Sequence, residues 1–157
     1  MRGGTLPFVL VMLTSTCGGT HKAADSASNQ PGTEGQRCLE DAETPREPKP
    51  DAPRSIAVSQ ILVRHAGLKR PEGATRTAEE ACLRALQALH ALKSGASWED
   101  VVEEYSDAPG TGNGSLGRIK ADDVEPAFAN AAFALDVDEL SYVVKTDRGF
   151  HIILRRD

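Results

Sequence analysis

The sequence YVVKTDRGFHIILR, residues 142–155, decides the fold. It holds two runs rich in β-branched, aromatic and aliphatic residues, 142–146 and 150–155, separated by the turn residues Asp147, Arg148 and Gly149. Such runs favour strands, and a tight turn with glycine joins neighbouring strands into a hairpin. The end of the chain is therefore predicted to be an antiparallel β-hairpin.

Upstream of the hairpin, the pattern predicts a first strand. Residues 55–64 alternate in strand fashion, with Gln60 and Leu62 on one face and Ile61 and Val63 on the other. A loop with proline and glycine follows this segment.

Helix signals fill the region between these strands. Thr77 and Glu80 form a capping box that begins one helix, Gly95 ends it, and Ser97 caps a second helix. Two further elements are predicted, a short strand and a third helix, over residues 116–119 and 126–134. This element order predicts an α+β domain over residues 55–157 with a largely antiparallel sheet.

Charge and hydropathy exclude two classes of protein. The chain carries 18 Lys and Arg against 23 Asp and Glu, a formal net charge of −5, whereas nucleic-acid binding relies on a basic surface. No apolar run reaches the ~18 residues that span a bilayer, so a polytopic membrane protein is excluded. Because the three cysteines form no CxxC pair and the histidines do not cluster, we expect no metal site.

The first 17 residues have the layout of a secretory signal. Arg2 supplies a positive start, residues 6–13 are apolar, and small polar residues precede Cys17. This arrangement resembles the leader of bacterial lipoproteins, in which the cysteine is acylated, and Gly18 then favours the outer membrane. We expect export to the periplasmic face of a bacterial membrane, with Cys17 as lipid attachment and membrane anchor. The alternative is a soluble periplasmic or secreted protein.

Residues 18–54 are predicted to be a disordered tether. They contain five prolines and four glycines, and Leu39 is their only large aliphatic residue, so they offer little apolar surface to bury. Cys38 lies in this segment and Cys82 in the domain, and an oxidising compartment would allow them to pair. Spacing fixes no pairing, and the favoured interpretation has Cys82 as a small core residue and Cys38 as a free or intermolecular thiol.

Residues 56–157 resemble the parvulin-type peptidyl-prolyl cis-trans isomerases. The resemblance rests on ordered motifs: ILVRH, TRTAEEA, ALKSGASWEDVVEEYSD, GSLG, PAFANAAFAL and VKTDRGFHIILR. It is closest to the phosphorylation-directed branch, without that branch's WW domain. It implies the parvulin (FKBP-like) fold, a four-stranded, mostly antiparallel sheet surrounded by about four helices. It also implies proline-containing polypeptides as clients, with no cofactor and no nucleic acid.

The resemblance implies a proline pocket beside a polar group. The apolar positions that match the pocket are Leu116, Ile119, Val124 and Phe128. His151 and Thr146 match polar residues of the family's site, and Gln60 stands where the family has a second histidine. Ala108 stands where the family has Cys or Asp, which removes one contributor to polarisation of the amide. His151 has two open interpretations, a chemical group or a buried residue that orders the sheet.

A basic loop carries the expected specificity. The family's phosphorylation-directed branch binds phosphate through a basic cluster, and the matching residues here are Arg64, Lys69 and Arg70. In an exported protein, we expect this cluster to bind the carboxylate of an acidic residue before proline instead. We therefore expect a peptidyl-prolyl isomerase that assists folding of extracytoplasmic proteins and prefers an acidic or phosphorylated residue before proline. The alternatives are a chaperone with weak or no isomerase activity, and a scaffold that retains only the fold.

Overall fold

The computed structural model describes residues 32–110 and 112–157. The described residues form one compact unit. Its elements, in chain order, are α1 (Glu34–Glu43), β1 (Ile56–Val63), α2 (Ala78–Lys93), α3 (Trp98–Tyr105), β2 (Ser115–Ile119), a 3-10 turn (Ala121–Asp123), α4 (Pro126–Ala134), β3 (Val144–Thr146) and β4 (Gly149–Arg155). The predicted α+β class is confirmed.

The four strands form one antiparallel sheet in the order β2-β1-β4-β3. The predicted terminal hairpin is the β3–β4 pair, which places β4 next to β1 at the centre of the sheet. In the β1–β4 register, Leu62 lies opposite His151 and Gln60 opposite Ile153. Because side chains alternate between faces along a strand, this register puts Gln60 and His151 on the same face as diagonal neighbours.

Helices cover both faces of the sheet. Ile61, Phe150 and Ile152 point to one face and pack with residues of α1, α2 and α3 in one apolar cluster. Val58 and Ile153 point to the other face and pack with α4 in a second cluster. The sheet thus lies between a three-helix layer and a single helix.

The helix starts follow the capping signals. Thr77 accepts a hydrogen bond from the backbone N–H of Glu80, whose carboxylate accepts from the N–H of Thr77, so the predicted capping box is present. Ser97 caps α3 by accepting from the N–H of Asp100. Each cap satisfies a backbone donor that the first helical turn leaves unpaired.

The prediction of a disordered tether over residues 18–54 is wrong from residue 32 onward. These residues contain α1, whose buried Cys38 and Ala42 join the apolar cluster of the three-helix layer. Farther along, Lys49 donates its backbone N–H to the carbonyl of Phe133 in α4. The composition argument failed because α1 buries small residues and is held covalently, so it needs little large aliphatic surface.

The covalent link is a disulfide between Cys38 and Cys82 of α2, with Cα atoms 6.0 Å apart. The favoured interpretation of an unpaired Cys38 and a purely packing Cys82 is therefore wrong, and the pairing left open is the one present. Cys17, the predicted lipid attachment, and the predicted signal both lie outside the described residues. Among the helices of the described residues, none combines the length and apolarity that crossing a bilayer requires.

Candidate functional site

A cavity of about 490 Å³ lies on the α4 face of the sheet. It brings together seven residues that the sequence predicts for the site: Gln60, Leu116, Ile119, Val124, Phe128, Thr146 and His151. They come from all four strands, α4 and the segment before it. The fold thus assembles the predicted apolar and polar groups around one space.

The apolar half of the cavity has a buried base and an exposed lip. Phe128 and Ile119 are buried, Val124 is half-buried, and Leu116 keeps 40% of its surface exposed. Phe128 meets the ring of His151 edge to face, with centroids 5.2 Å apart. A concave surface lined mainly by apolar side chains, with a few polar groups, is typical of a binding site.

The polar half is a hydrogen-bonded chain across three strands. His151 Nδ1 lies 2.9 Å from Gln60 Oε1, and His151 Nε2 lies 2.8 Å from Thr146 Oγ1. Because an amide oxygen only accepts, this placement of Gln60 assigns the proton to Nδ1, and Nε2 then accepts the hydroxyl proton of Thr146. Thr146 Oγ1 in turn accepts the backbone N–H of Arg148 at 3.0 Å. Gln60 therefore keeps the chain continuous.

Burial keeps the His151 imidazole neutral. Loss of solvation, together with the positive charges of Arg148 and Arg64, lowers the pKa of His151 from 6.5 to about 3. At neutral pH the ring carries no charge and presents a fixed pattern of one donor and one acceptor. It is suited to hold polar groups in place rather than to transfer a proton.

Two glycines allow neighbouring backbone segments to pack closely against β1. Gly114 has φ +73°, and a Cβ on it would lie 2.1 Å from the carbonyl oxygen of Gln60, whose N–H donates to the Gly114 carbonyl at 2.8 Å. A Cβ on Gly149, at φ +132°, would lie 2.4 Å from the carbonyl oxygen of Val63. Only glycine fits either position. Gly114 begins the GSLG stretch, and Gly149 lies in the RGF stretch.

Ala108 does not line the cavity. It is half-buried, and its backbone N–H donates to Ser106 Oγ at 3.3 Å. The neighbouring carboxylate, Asp107, accepts the backbone N–H of Arg64 and pairs with Arg76, so it holds the loops beside β1. Among the described residues, neither a cysteine nor Asp107 lines the cavity.

The three predicted anion-binding residues have different surroundings. The Arg64 side chain is only 15% exposed, donates to the Asp107 carbonyl at 2.8 Å and pairs with Glu72 at 3.0 Å. Lys69 and Arg70 are exposed, and in the described part of the chain neither forms an ion pair. None of the three lines the cavity.

Sequence reasoning missed an acidic rim. Asp122, Asp123 and Glu125 line the cavity together with Arg148. Glu125 accepts the backbone N–H of Asp147 at 2.8 Å and pairs with Arg148 at 3.4 Å, which links the hairpin turn to the start of α4. The signal available for Glu125 was its place directly before Pro126, at the predicted start of a helix.

Comparisons with known proteins identify a family for the chain. A family model described as a PPIC-type PPIase domain matches residues 46–156. The chain is 39% identical over 124 residues to the peptidyl-prolyl cis-trans isomerase pin1 of Schizosaccharomyces pombe, covering 74% of this chain and 70% of that protein. It is 35% identical over 99 residues to the chaperone SurA of Methylobacillus flagellatus, covering 62% of this chain and 22% of that protein.

A solved structure shares the fold. The peptidyl-prolyl isomerase ESS1 from Candida albicans superposes with a TM-score of 0.60 at 25% identity, covering 66% of this chain and 63% of that one. The family match spans the whole sheet and the cavity. The chain therefore belongs to the PPIC-type, or parvulin, family of peptidyl-prolyl cis-trans isomerases.

Proposed function

We propose that this isomerase assists the folding of extracytoplasmic polypeptides and prefers an acidic or phosphorylated residue before proline. The observation that carries the proposal is the cavity that combines an apolar cup with the neutral chain Gln60–His151–Thr146. In this proposal Leu116, Ile119, Val124 and Phe128 hold the proline ring.

Rotation of an X–Pro bond needs no covalent intermediate. The barrier of ~18–20 kcal/mol arises because twisting breaks amide resonance. A site lowers it by binding the twisted amide more tightly than either planar form. We propose that the apolar cup holds the proline ring in place. The polar chain beneath the cup orders the strands and keeps its hydrogen-bond donors and acceptors in fixed positions.

The extracytoplasmic part of the proposal is supported by the Cys38–Cys82 disulfide, because structural disulfides persist in oxidising compartments. The signal-like leader points the same way, and Cys17 is proposed as the lipid attachment site of a membrane-tethered protein at the periplasmic face. Expression with a radiolabelled fatty acid tests this: the wild-type chain is expected to incorporate label and Cys17→Ser to lose it.

The preference for an acidic residue is proposed to come from the basic loop. Arg64 is engaged with Glu72 and Asp107, so Lys69 and Arg70 are the members of the cluster with exposed charges. An ammonium and a guanidinium group attract both carboxylate and phosphate.

Exchange NMR on matched Ala-Pro, Glu-Pro and phosphoSer-Pro peptides tests the proposed function with the full chain. We expect acceleration of all three peptides, and faster exchange of the two anionic ones. Thr146→Val removes the hydroxyl that His151 and Arg148 share, and we expect it to slow exchange by about tenfold. The matched control is Thr75→Val, because Thr75 is exposed and outside the cavity.

A chaperone with little turnover is the second candidate. Ala108 and Gln60 favour it, since both replace residues of the family's usual site, and a chaperone is among the relatives. Peptide binding without any acceleration of exchange, together with suppressed aggregation of an unfolded client, would establish this candidate in place of the first.

A further inference from the structure

A second and larger cavity, of about 640 Å³, lies along the free edge of β3. Its floor is formed by residues 143–147, one wall by residues 42–46 at the end of α1, and the other wall by Pro126, Ala127 and Asn130 of α4. We refer to it as the β3 groove. Apart from Glu125 and Thr146, its lining residues do not line the proposed proline site.

The groove borders the edge of the strand rather than one of its faces. Five consecutive residues line it, although alternate side chains point to opposite faces. Val143 belongs to the apolar cluster of the three-helix layer and Val144 to the cluster under α4, which confirms the alternation. The side common to all five residues is the edge that faces away from β4.

Most of this edge has backbone groups without a backbone partner, although the N–H of Asp147 donates to the side chain of Glu125. β3 is the last strand of the sheet, and an antiparallel edge strand directs about every second N–H and C=O away from its partner. Across the described residues, no backbone–backbone hydrogen bond joins residues 143–147 to either wall. An edge of this kind binds an extended peptide by strand addition.

Both walls are fixed to the strand that they flank. Lys145 forms an ion pair with Glu43 of α1, and the N–H of Asp147 donates to Glu125 just before α4. The Cys38–Cys82 disulfide holds α1 to α2. The groove is thus preformed, which reduces the entropy lost on binding.

The groove is continuous with the proline site. Glu125 and Thr146 line both cavities. A polypeptide whose proline occupies the first cavity therefore has a path into the second. Residues 42–45 of the α1 wall lie outside residues 46–156, the part matched by the family model, so most of this wall is an addition to the matched domain.

We infer that the β3 groove binds the segment of a client polypeptide next to its X–Pro bond, as an extended strand added to β3. This inference rests on the proposed function of the neighbouring cavity. β3 is three residues long, so the added strand pairs with it over about three residues and continues along the groove, at ~3.3 Å per residue. Recognition is mainly through the backbone, so the segment is selected by its extended form and not by its sequence.

Peptides of different length test the inference with the full chain. Three peptides share one Ala-Pro core: a short one, one extended by five residues before the core, and one extended by five residues after it. We expect one of the two extensions to tighten binding by about tenfold. Methylating alternate backbone nitrogens of that extension removes its donors, and we expect one of the two alternating patterns to abolish the gain.

A pair of variants tests whether the tighter binding of the extended peptide depends on the groove. Ala127 is exposed on the α4 wall and does not line the proline cavity, so Ala127→Trp is expected to remove the gain while the short peptide binds as before. Ala96→Trp is the control, because Ala96 is exposed in the α2–α3 turn and lines neither cavity.

Failure of this inference is distinct from failure of the proposed function. If the protein accelerates exchange of the short peptide but neither extended peptide binds more tightly than the short one, the groove inference is overturned while the isomerase proposal stands. A gain that survives both methylation patterns and Ala127→Trp also overturns it. If an extension tightens binding while no peptide is isomerised, the groove inference stands and the isomerase proposal fails. Self-association of the chain that Ala127→Trp abolishes would assign the groove to a second copy and overturn client binding.

Discussion

The sheet face that packs on α1, α2 and α3 carries the larger apolar cluster and a disulfide, whereas the face under α4 carries a cavity and a buried neutral histidine. Polar groups occupy the second face even though it lies on the same two central strands. The three-helix layer thus supplies stability, and this leaves the α4 face free to keep an open, partly polar site. The following changes test that division of roles.

Removing the disulfide is the largest expected perturbation of the three-helix face. Cys38→Ala with Cys82→Ala opens a loop with a sequence separation of 44 residues, which corresponds to about 4 kcal/mol of unfolding free energy in the chain-entropy model. Urea unfolding with and without the substitutions measures the loss. The folded fraction of the variant is expected to accelerate exchange of a short Ala-Pro peptide at the wild-type rate. A loss of this rate in step with the loss of stability would contradict the division of roles between the two faces.

Two leucines on opposite faces provide a matched pair. Leu89 is 1% exposed in α2, so Leu89→Ala is expected to lower the unfolding free energy by about 2–5 kcal/mol without slowing exchange. Leu116 is 40% exposed at the cavity lip, so Leu116→Ala is expected to leave stability within ~0.5 kcal/mol and weaken peptide binding. Urea unfolding and peptide titration of both variants decide the comparison, and equal effects of the two would contradict it.

The buried histidine links the α4 face to pH. The folded pKa of His151, about 3, lies below its ordinary value of 6.5, so its contribution to stability is complete above pH 6.5 and is lost as pH falls toward 3. Between pH 6.5 and 5 the expected loss is roughly 2 kcal/mol. Urea unfolding of the wild type and of His151→Gln at several pH values isolates the contribution of His151 to the pH dependence of stability, because the variant has no imidazole at this position. Identical pH dependence in both proteins would show that His151 is already charged or exposed.

The basic loop is expected to have the smallest effect. Replacing Lys69 and Arg70 by alanine should slow Glu-Pro exchange about two- to fivefold while Ala-Pro exchange is unchanged, since exposed charges act through solvent. Raising the salt concentration should reproduce the change in the wild type. Equal slowing of both peptides would place the defect in the cavity instead.

Elements with local signals were predictable from the sequence. The hairpin, the Thr77–Glu80 capping box and the helix that begins at Pro126 each depend on residues close together in the chain. The resemblance to a family also predicted the seven cavity residues. Periodicity could not predict them, because buried apolar residues of a site and of a core look alike in a sequence.

Features that depend on distant pairing were not predictable. Nothing in the α1 sequence indicates that Cys38 meets Cys82, since cysteine spacing fixes no pairing. The engagement of Arg64 by Glu72 and Asp107 likewise requires the loop geometry. The exposed lip at Leu116 was missed for the same reason, because exposure depends on what the rest of the chain fails to cover.

The most direct test of the central claim compares two phenylalanines of α4. Phe128 and Phe133 are 3% and 4% exposed, but only Phe128 lines the proposed proline cavity. Exchange NMR of one Ala-Pro peptide, with urea unfolding of both variants, is the measurement. The account predicts that Phe128→Ala slows exchange by at least about tenfold while Phe133→Ala, at similar stability loss, retains the wild-type rate. Equal rates in the two variants would contradict it.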